Sequence, residues 1–191
     1  MTQFRGSQFG GGGARPRDSS QQHHGGGVSY GRGGRDRSQP DDTVANHWPD
    51  YLKEGYFDAE GNLKTEYVSS SIPGDDKQRG VEELIRAMTL AHPKLTTGQL
   101  RRFFQHCRGL ETSLKSGMAN WHHLRSRFEF LSAAAADAYG KSPSKIPGLF
   151  YDFIRRNVAA VKTERDFRSG FLPHFEALVG FGPLYVDKER N

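Results

Sequence analysis

Basic residues recur at a fixed interval around the stretch "LTTGQLRRFFQHCRGLE", which runs from Leu95 to Glu111. Arg101, Arg108 and Lys115 are each seven residues apart, so on a helix they lie along one line of its surface. A guanidinium is always charged and presents a planar fork of donors, which suits it to phosphate oxygens. The spacing therefore indicates a surface that follows a phosphate backbone without reading base sequence.

Positive charge is concentrated in the second half of the chain. Residues 78–191 hold 18 Lys and Arg against 11 Asp and Glu, a balance of +7, whereas residues 43–77 hold 3 bases and 7 acids. This excess favours a nucleic acid as the partner. The candidate RNA-binding residues are Arg101, Arg102, Arg108, Lys115, Arg125, Arg127, Lys141, Lys145, Arg155 and Arg156. The alternative is that they are solvated helix faces, paired with Glu111, Glu129 and Asp152.

The segments that position these residues have helical periodicity. Val81, Leu84, Ile85 and Met88 mark a first helix that ends before His92-Pro93. The second begins at Thr96 with a T-x-x-Q capping box, and its apolar stripe includes Cys107. The third runs from Trp121 to Gly140, the fourth starts near Pro147, and the fifth runs from about Thr163 to Gly180 or Gly182. The sequence predicts an all-α fold, a compact bundle of about five helices over residues 78–183, with a C-terminal tail over 184–191. The phenylalanines keep helical core spacing, so we expect them in the core.

The first part of the chain differs in composition from the bundle. Residues 1–42 are rich in Gly, Arg and Ser, cannot bury enough apolar surface to offset their ordering, and are expected to be disordered. The "GRGGR" motif near Tyr30 is typical of segments that bind RNA loosely, although a tail without a specific role has the same composition. Residues 43–77 form an acidic lead-in with a turn at Glu60-Gly61-Asn62.

Several classes of chemistry are not supported. "GKS" at Gly140 lacks the upstream glycine of a phosphate-binding loop, because Ala135 stands there. No H-x-x-x-H or H-E-x-x-H pattern exists, and His106 and His174 are isolated histidines. The single cysteine excludes an intrachain disulfide. We therefore expect no catalytic residue, no metal site and no cofactor. No window has the roughly 20 apolar residues of a membrane span, so a cytoplasmic protein without membrane contact is expected.

These features resemble the small helical subunit of type III-A CRISPR effector complexes, the Csm complexes. Tyr56, Phe57 and Gly61 resemble the family's "YF…G" lead-in. Its signature helix is matched by Leu95, Thr96, Gln99, Leu100, Arg101, Arg102, Phe103 and Phe104, and its closing helix by Phe171, Phe175, Glu176 and Ala177. Two departures are the Gly/Arg tail and the loop after Tyr139, where Lys141 stands in for a basic "Y…R".

The resemblance implies a non-catalytic subunit in antiviral defence. Its partners would be guide RNA, target RNA, other Csm subunits and further copies of itself. Arg101, Arg102, Arg108, Arg125 and Lys141 would meet RNA phosphates, with sequence choice left to base pairing. The alternatives are a stand-alone RNA-binding protein acting through its tail, a purely structural adaptor, a weak nuclease, and the type III-B small subunit.

Overall fold

A computed structural model of the chain describes residues 42–70 and 80–186. The prediction of a disordered tail over residues 1–42 therefore falls almost wholly outside the described residues. Six α-helices are present in the described part: α1 Val44–His47, α2 Val81–Leu90, α3 Thr97–Lys115, α4 Trp121–Gly140, α5 Gly148–Ala160 and α6 Leu172–Val186. A 3₁₀-helix, Thr65–Tyr67, precedes α2, and a π-helix, Asp166–Phe171, leads directly into α6. No strand occurs among these residues, so the all-α fold class is confirmed.

The beginning of α3 is fixed by the predicted capping box. The Thr96 hydroxyl accepts from the Gln99 amide at 3.2 Å, while the Gln99 side chain accepts from the Thr96 amide at 2.9 Å. Two donors that the first helical turn would leave unpaired are thereby satisfied. The Gln99 side-chain amide also donates to the Lys145 carbonyl, and the Lys145 amide donates to the carbonyl of Ala138, near the end of α4. The start of α3 thus lies beside the end of α4, and the two helices form an antiparallel hairpin.

The centre of the bundle is built largely from phenylalanine rings. Phe128, Phe150, Phe153, Phe171 and Phe175 are fully buried, and neighbouring rings meet at centroid distances of 5.4 to 6.4 Å. Burial of large rings at these separations supplies most of the apolar area that stabilises a domain of this size. Cys107 is also buried, as its place in the apolar stripe predicted.

Aromatic residues of the acidic lead-in belong to the same core, which the sequence did not indicate. Trp48, Tyr51, Tyr56 and Tyr67 are 5% exposed or less, and the rings of Trp48 and Tyr67 stack at 5.1 Å. The lead-in residues that the structure describes are therefore part of the folded domain. Their burial against α5 and α6 explains why such an acidic segment is ordered.

Buried polar atoms join the lead-in to the helices through one hydrogen-bond chain. The His174 Nδ1 donates to the Tyr67 carbonyl at 2.6 Å, so its Nε2 accepts from the Tyr51 hydroxyl at 2.7 Å. Asn157 donates to the same hydroxyl at 2.6 Å and accepts from the Tyr56 hydroxyl at 2.8 Å. Each buried group has a partner, which removes the cost of leaving it unsatisfied.

The predicted turn at Gly61 is present and is held by a cation. Gly61 has a φ of +84°, in the left-handed region that glycine adopts without strain, and Phe57 pairs with Leu63 in an isolated antiparallel bridge. Arg165, just before the π-helix, donates to the Gly61 carbonyl at 2.6 Å. Its guanidinium carbon lies 4.4 Å from the centre of the Phe57 ring, within range of a cation–π contact.

Two expectations about the helices were wrong. The last helix does not end at Gly180 or Gly182 but continues to Val186, with Pro183 inside it. Gly182 is buried, and a β-carbon there would lie 3.4 Å from Leu100, so this glycine permits close packing rather than ending the helix. The phenylalanines are not all core residues either, because Phe130 on α4 is 65% exposed.

Candidate nucleic-acid interface

The basic residues of α3 lie on two different edges of that helix. Phe104 meets Phe175 of α6 at a centroid distance of 5.5 Å, and Arg101 and Arg108 lie one turn to either side of Phe104. His106 instead contacts α4, where its Nε2 lies 3.0 Å from the carbonyl oxygen of Arg127. Arg102 is one turn before His106 and therefore shares that edge. The Arg101–Arg108–Lys115 line therefore lies on the α6 side of α3, and Arg102 shares a line of α3 with His106.

On the α6 edge, two of the three basic residues are bound to one buried acid. Glu111, 8% exposed, lies 2.6 Å from Arg108 and 2.6 Å from Lys115. A buried carboxylate needs such partners, since leaving it unpaired costs several kcal/mol (about 3 to 5). Both cationic side chains are about half-exposed, but their charge is largely neutralised by Glu111.

The two arginines of α5 are held in the same way. Asp152 accepts from Arg155 at 2.6 Å, from Arg156 at 2.7 Å and from the Val44 amide at 3.1 Å. Burial raises the pKa of Asp152, but these hydrogen bonds outweigh it and hold the pKa below its ordinary value. This cluster pins α1 to α5, so Arg155 and Arg156 serve the fold directly.

Two further candidates, Arg125 on α4 and Lys141 directly after it, form exposed ion pairs. Arg125 lies 3.0 Å from Glu129, and Lys141 lies 2.7 Å from Asp137. All four side chains are about half-exposed or more, so each pair stabilises the helix by only about 0.3 to 0.5 kcal/mol. These cations can exchange their partner for a phosphate at small cost.

Four candidates form no ion pair with any residue that the structure describes: Arg101, Arg102, Arg127 and Lys145. All four are exposed. Three of them belong to the α3–α4 hairpin: Arg102 is one turn before His106, whose ring contacts the Arg127 backbone, and the Gln99 bond places the Lys145 backbone at the start of α3. We name Arg102, His106, Arg127 and Lys145 the α3–α4 face. Arg101 remains apart, on the α6 edge.

The exposed ring of Phe130 belongs beside this face and was missed by the sequence analysis. It lies three residues after Arg127, or about one helical turn, and about 4.5 Å further along the helix axis. Phe130 was expected in the core because every phenylalanine was treated as a core residue. Its position on α4, however, is not on the buried stripe of Leu124, Phe128 and Leu131. The position of Phe130 around the helix, away from that stripe, was the feature of the sequence that could have predicted its exposure.

The family model described as Csm2 Type III-A matches residues 82–188 of the chain. The match covers more than half of the sequence and includes α3, on which the resemblance depends, as well as the closing helix. The chain belongs to the Csm2 Type III-A family. It is thus a small subunit of the type III-A CRISPR complex, and its partners include other Csm subunits. The Tyr56, Phe57 and Gly61 lead-in lies before the matched residues. No curated protein and no solved structure gave a significant match.

Two groups of this Csm2 chain that could be chemically reactive, Cys107 and His174, are buried in uncharged forms. Burial raises the pKa of the Cys107 thiol to about 12, and it lowers the pKa of His174 to about 4, so neither is ionised near neutral pH. No group of three metal-binding side chains occurs within residues 42–70 and 80–186. Csm2 is a family of structural small subunits.

Among the helices that the structure describes, none combines the length and the apolar character needed to cross a bilayer.

Proposed function

We propose that this Csm2 chain binds RNA phosphates within the type III-A effector complex and performs no catalysis itself. The observation that carries the proposal is the α3–α4 face, which groups exposed arginines without carboxylate partners among the described residues. When solvated guanidinium groups bind phosphates, the counterions held by the RNA are released, which gives affinity without base specificity. Base pairing between guide and target then supplies sequence choice.

The ten candidate residues contribute to this function unequally. Arg102, Arg127 and Lys145 contact phosphates directly, with Arg101 as a further contact on the α6 edge. Arg125 and Lys141 exchange their exposed carboxylate partners for phosphate. Arg108, Lys115, Arg155 and Arg156 remain with Glu111 and Asp152, and add to the surrounding positive potential.

Contacts with neighbouring subunits and with further copies of the chain are the second part of the proposal. Met118, in the α3–α4 turn, is 78% exposed, and Leu90, at the end of α2, is 55% exposed. An exposed apolar side chain at the tip of a turn is suited to insert into a neighbour. Such stacking would align successive α3–α4 faces along the RNA held by a cytoplasmic antiviral complex.

The alternative site of RNA binding is the Gly/Arg-rich segment, and a truncation separates the two. The affinity for single-stranded RNA is measured across a salt series for the full chain and for a chain lacking residues 1–38. We expect the shortened chain to bind with a clear decrease in affinity as salt increases, because the face lies within the remaining residues. Loss of all binding on truncation would assign RNA binding to the removed segment and refute the proposal.

A further inference from the structure

Phe130 is unlike every other phenylalanine that the structure describes. The others are buried or half-buried, most in ring-to-ring contacts, whereas Phe130 is 65% exposed and contacts no other described aromatic ring. A single exposed apolar residue is ordinary on a protein surface. The surroundings of Phe130 are what distinguish it.

Both helices of the hairpin that carries Phe130 also carry an arginine without an ion-pair partner among the described residues. Arg127 is one turn away on α4, and Arg102 is one turn before His106, whose ring contacts the Arg127 backbone. The adjacent acid, Glu129, points to another side of α4, where it holds Arg125. A protein partner would have to desolvate these unpaired cations, while a phosphate chain would neutralise them. Charge thus favours RNA over protein as the occupant.

We propose that Phe130 is a base-stacking platform, so that the α3–α4 face binds RNA with unstacked bases and discriminates against fully paired helices. The inference rests on the proposed function, and it adds the class of RNA recognised. A base stacks on an exposed ring whatever its identity, so the contact adds affinity without adding sequence preference. In a duplex the bases are stacked on one another and cannot reach the ring. Arg102 and Arg127 hold the phosphates on either side of the stacked nucleotide.

The test compares RNA with and without bases at constant charge. Full-length protein is titrated with single-stranded RNA carrying one 2-aminopurine, and with an abasic ribose-phosphate oligomer of the same length. The variants are Phe130→Ala, Phe130→Tyr, which keeps the ring, and Leu184→Ala, which removes exposed apolar surface on α6. Thermal melting confirms that each variant folds.

We expect Phe130→Ala to weaken binding of base-containing RNA by about fivefold or more, and to abolish 2-aminopurine quenching. The affinity of Phe130→Ala for the abasic oligomer and its salt slope stay unchanged, and Phe130→Tyr and Leu184→Ala behave as the native chain. Equal losses on both oligomers, or none, would overturn the stacking role while the phosphate face stands. A loss confined to assembly with protein subunits would make Phe130 a protein contact instead. If the native chain binds neither oligomer, the proposed function itself fails.

Discussion

The Nε2 atom of His106 on α3 lies 3.0 Å from the backbone carbonyl oxygen of Arg127 on α4. The bond requires the His106 tautomer that carries its proton on Nε2, because a carbonyl oxygen only accepts. It holds α3 against α4 at the Arg127 backbone, one turn of α3 away from Arg102. The arrangement of the α3–α4 face therefore depends on a hydrogen bond that takes no part in binding phosphate.

Replacing His106 with Ala should loosen this alignment. The expected loss of stability is about 1 kcal/mol, because one partly exposed hydrogen bond is removed. The RNA affinity should decrease by more than that of His123→Ala, an exposed histidine on α4 that donates no such bond. Urea unfolding and RNA titration of both variants measure this. Identical RNA affinities in the two variants would show that the bond does not align the face.

Glu111→Gln should have opposite effects on stability and on RNA binding. The substitution removes the charge that holds Arg108 and Lys115, so the free energy of unfolding should decrease by about 2 kcal/mol. Both cations then become available to phosphates, and the RNA affinity should increase with a steeper salt slope.

The control for this change is Glu129→Gln, which releases only the exposed Arg125. It should leave stability nearly unchanged and raise the RNA affinity less. A Glu111→Gln chain that binds RNA no better than the control would mean that Arg108 and Lys115 do not reach the RNA even when released.

Acid should destabilise the fold through His174. Burial lowers the pKa of this side chain to about 4 in the folded chain, against 6.5 for an ordinary histidine. Between these values the unfolded chain binds more protons, so stability is full above pH 6.5 and is lost as the pH decreases towards 4. From about pH 7 to about pH 5 we expect a loss of about 2 kcal/mol from this group.

Urea unfolding at both pH values, for the native chain and for His174→Gln, isolates this contribution. The variant should be less stable at neutral pH, because the bonds to Tyr51 and Tyr67 are disturbed, but should show a flatter pH dependence. An equal pH dependence in the two proteins would assign acid sensitivity to other groups.

One substitution made at two glycines should change stability in opposite directions. A β-carbon on Gly170, in the π-helix, would lie 2.7 Å from the Tyr56 ring, so Gly170→Ala forces the lead-in away from the helices. We expect a loss of about 1 to 3 kcal/mol, as for other overpacked sites. Gly109 is exposed on α3, and no atom lies within 4 Å of a β-carbon built there. Gly109→Ala should therefore increase the free energy of unfolding by about 1 kcal/mol.

Thermal melting of the two alanine variants measures both changes in stability. A Gly170→Ala chain as stable as the native protein would show that Tyr56 does not pack tightly on the π-helix.

Local patterns in the sequence predicted the helices of the bundle well. The capping box at Thr96, the entry at Pro147 and the end of α4 at Gly140 all depend on neighbouring residues, and all are present. Contacts between distant residues were not predictable in this way. Tyr51 meets His174 across 123 positions, and no periodicity in either segment indicates it.

The candidate site was predicted as a set of residue types but not as an arrangement. Regular spacing placed Arg101, Arg108 and Lys115 on one line. Glu111, however, forms ion pairs with Arg108 and Lys115, because it lies one turn from each. The grouping of Arg102 with Arg127 arises from the packing of α3 on α4, which spacing within either helix does not describe.

The claim that unpaired arginines on the α3–α4 face hold RNA phosphates is tested most directly by two charge-matched double variants. Arg102→Gln/Arg127→Gln removes two cations that have no acidic partner in the described part of the chain, and Arg125→Gln/Lys141→Gln removes two that are paired with exposed acids. The salt dependence of single-stranded RNA binding is measured for both with the full chain. We predict that the first variant lowers the slope by about 1.4, or about 0.7 for each phosphate that the protein no longer neutralises, and the second by less than half of that. Equal slopes for the two variants would contradict the account, because only the net charge of the chain would then matter.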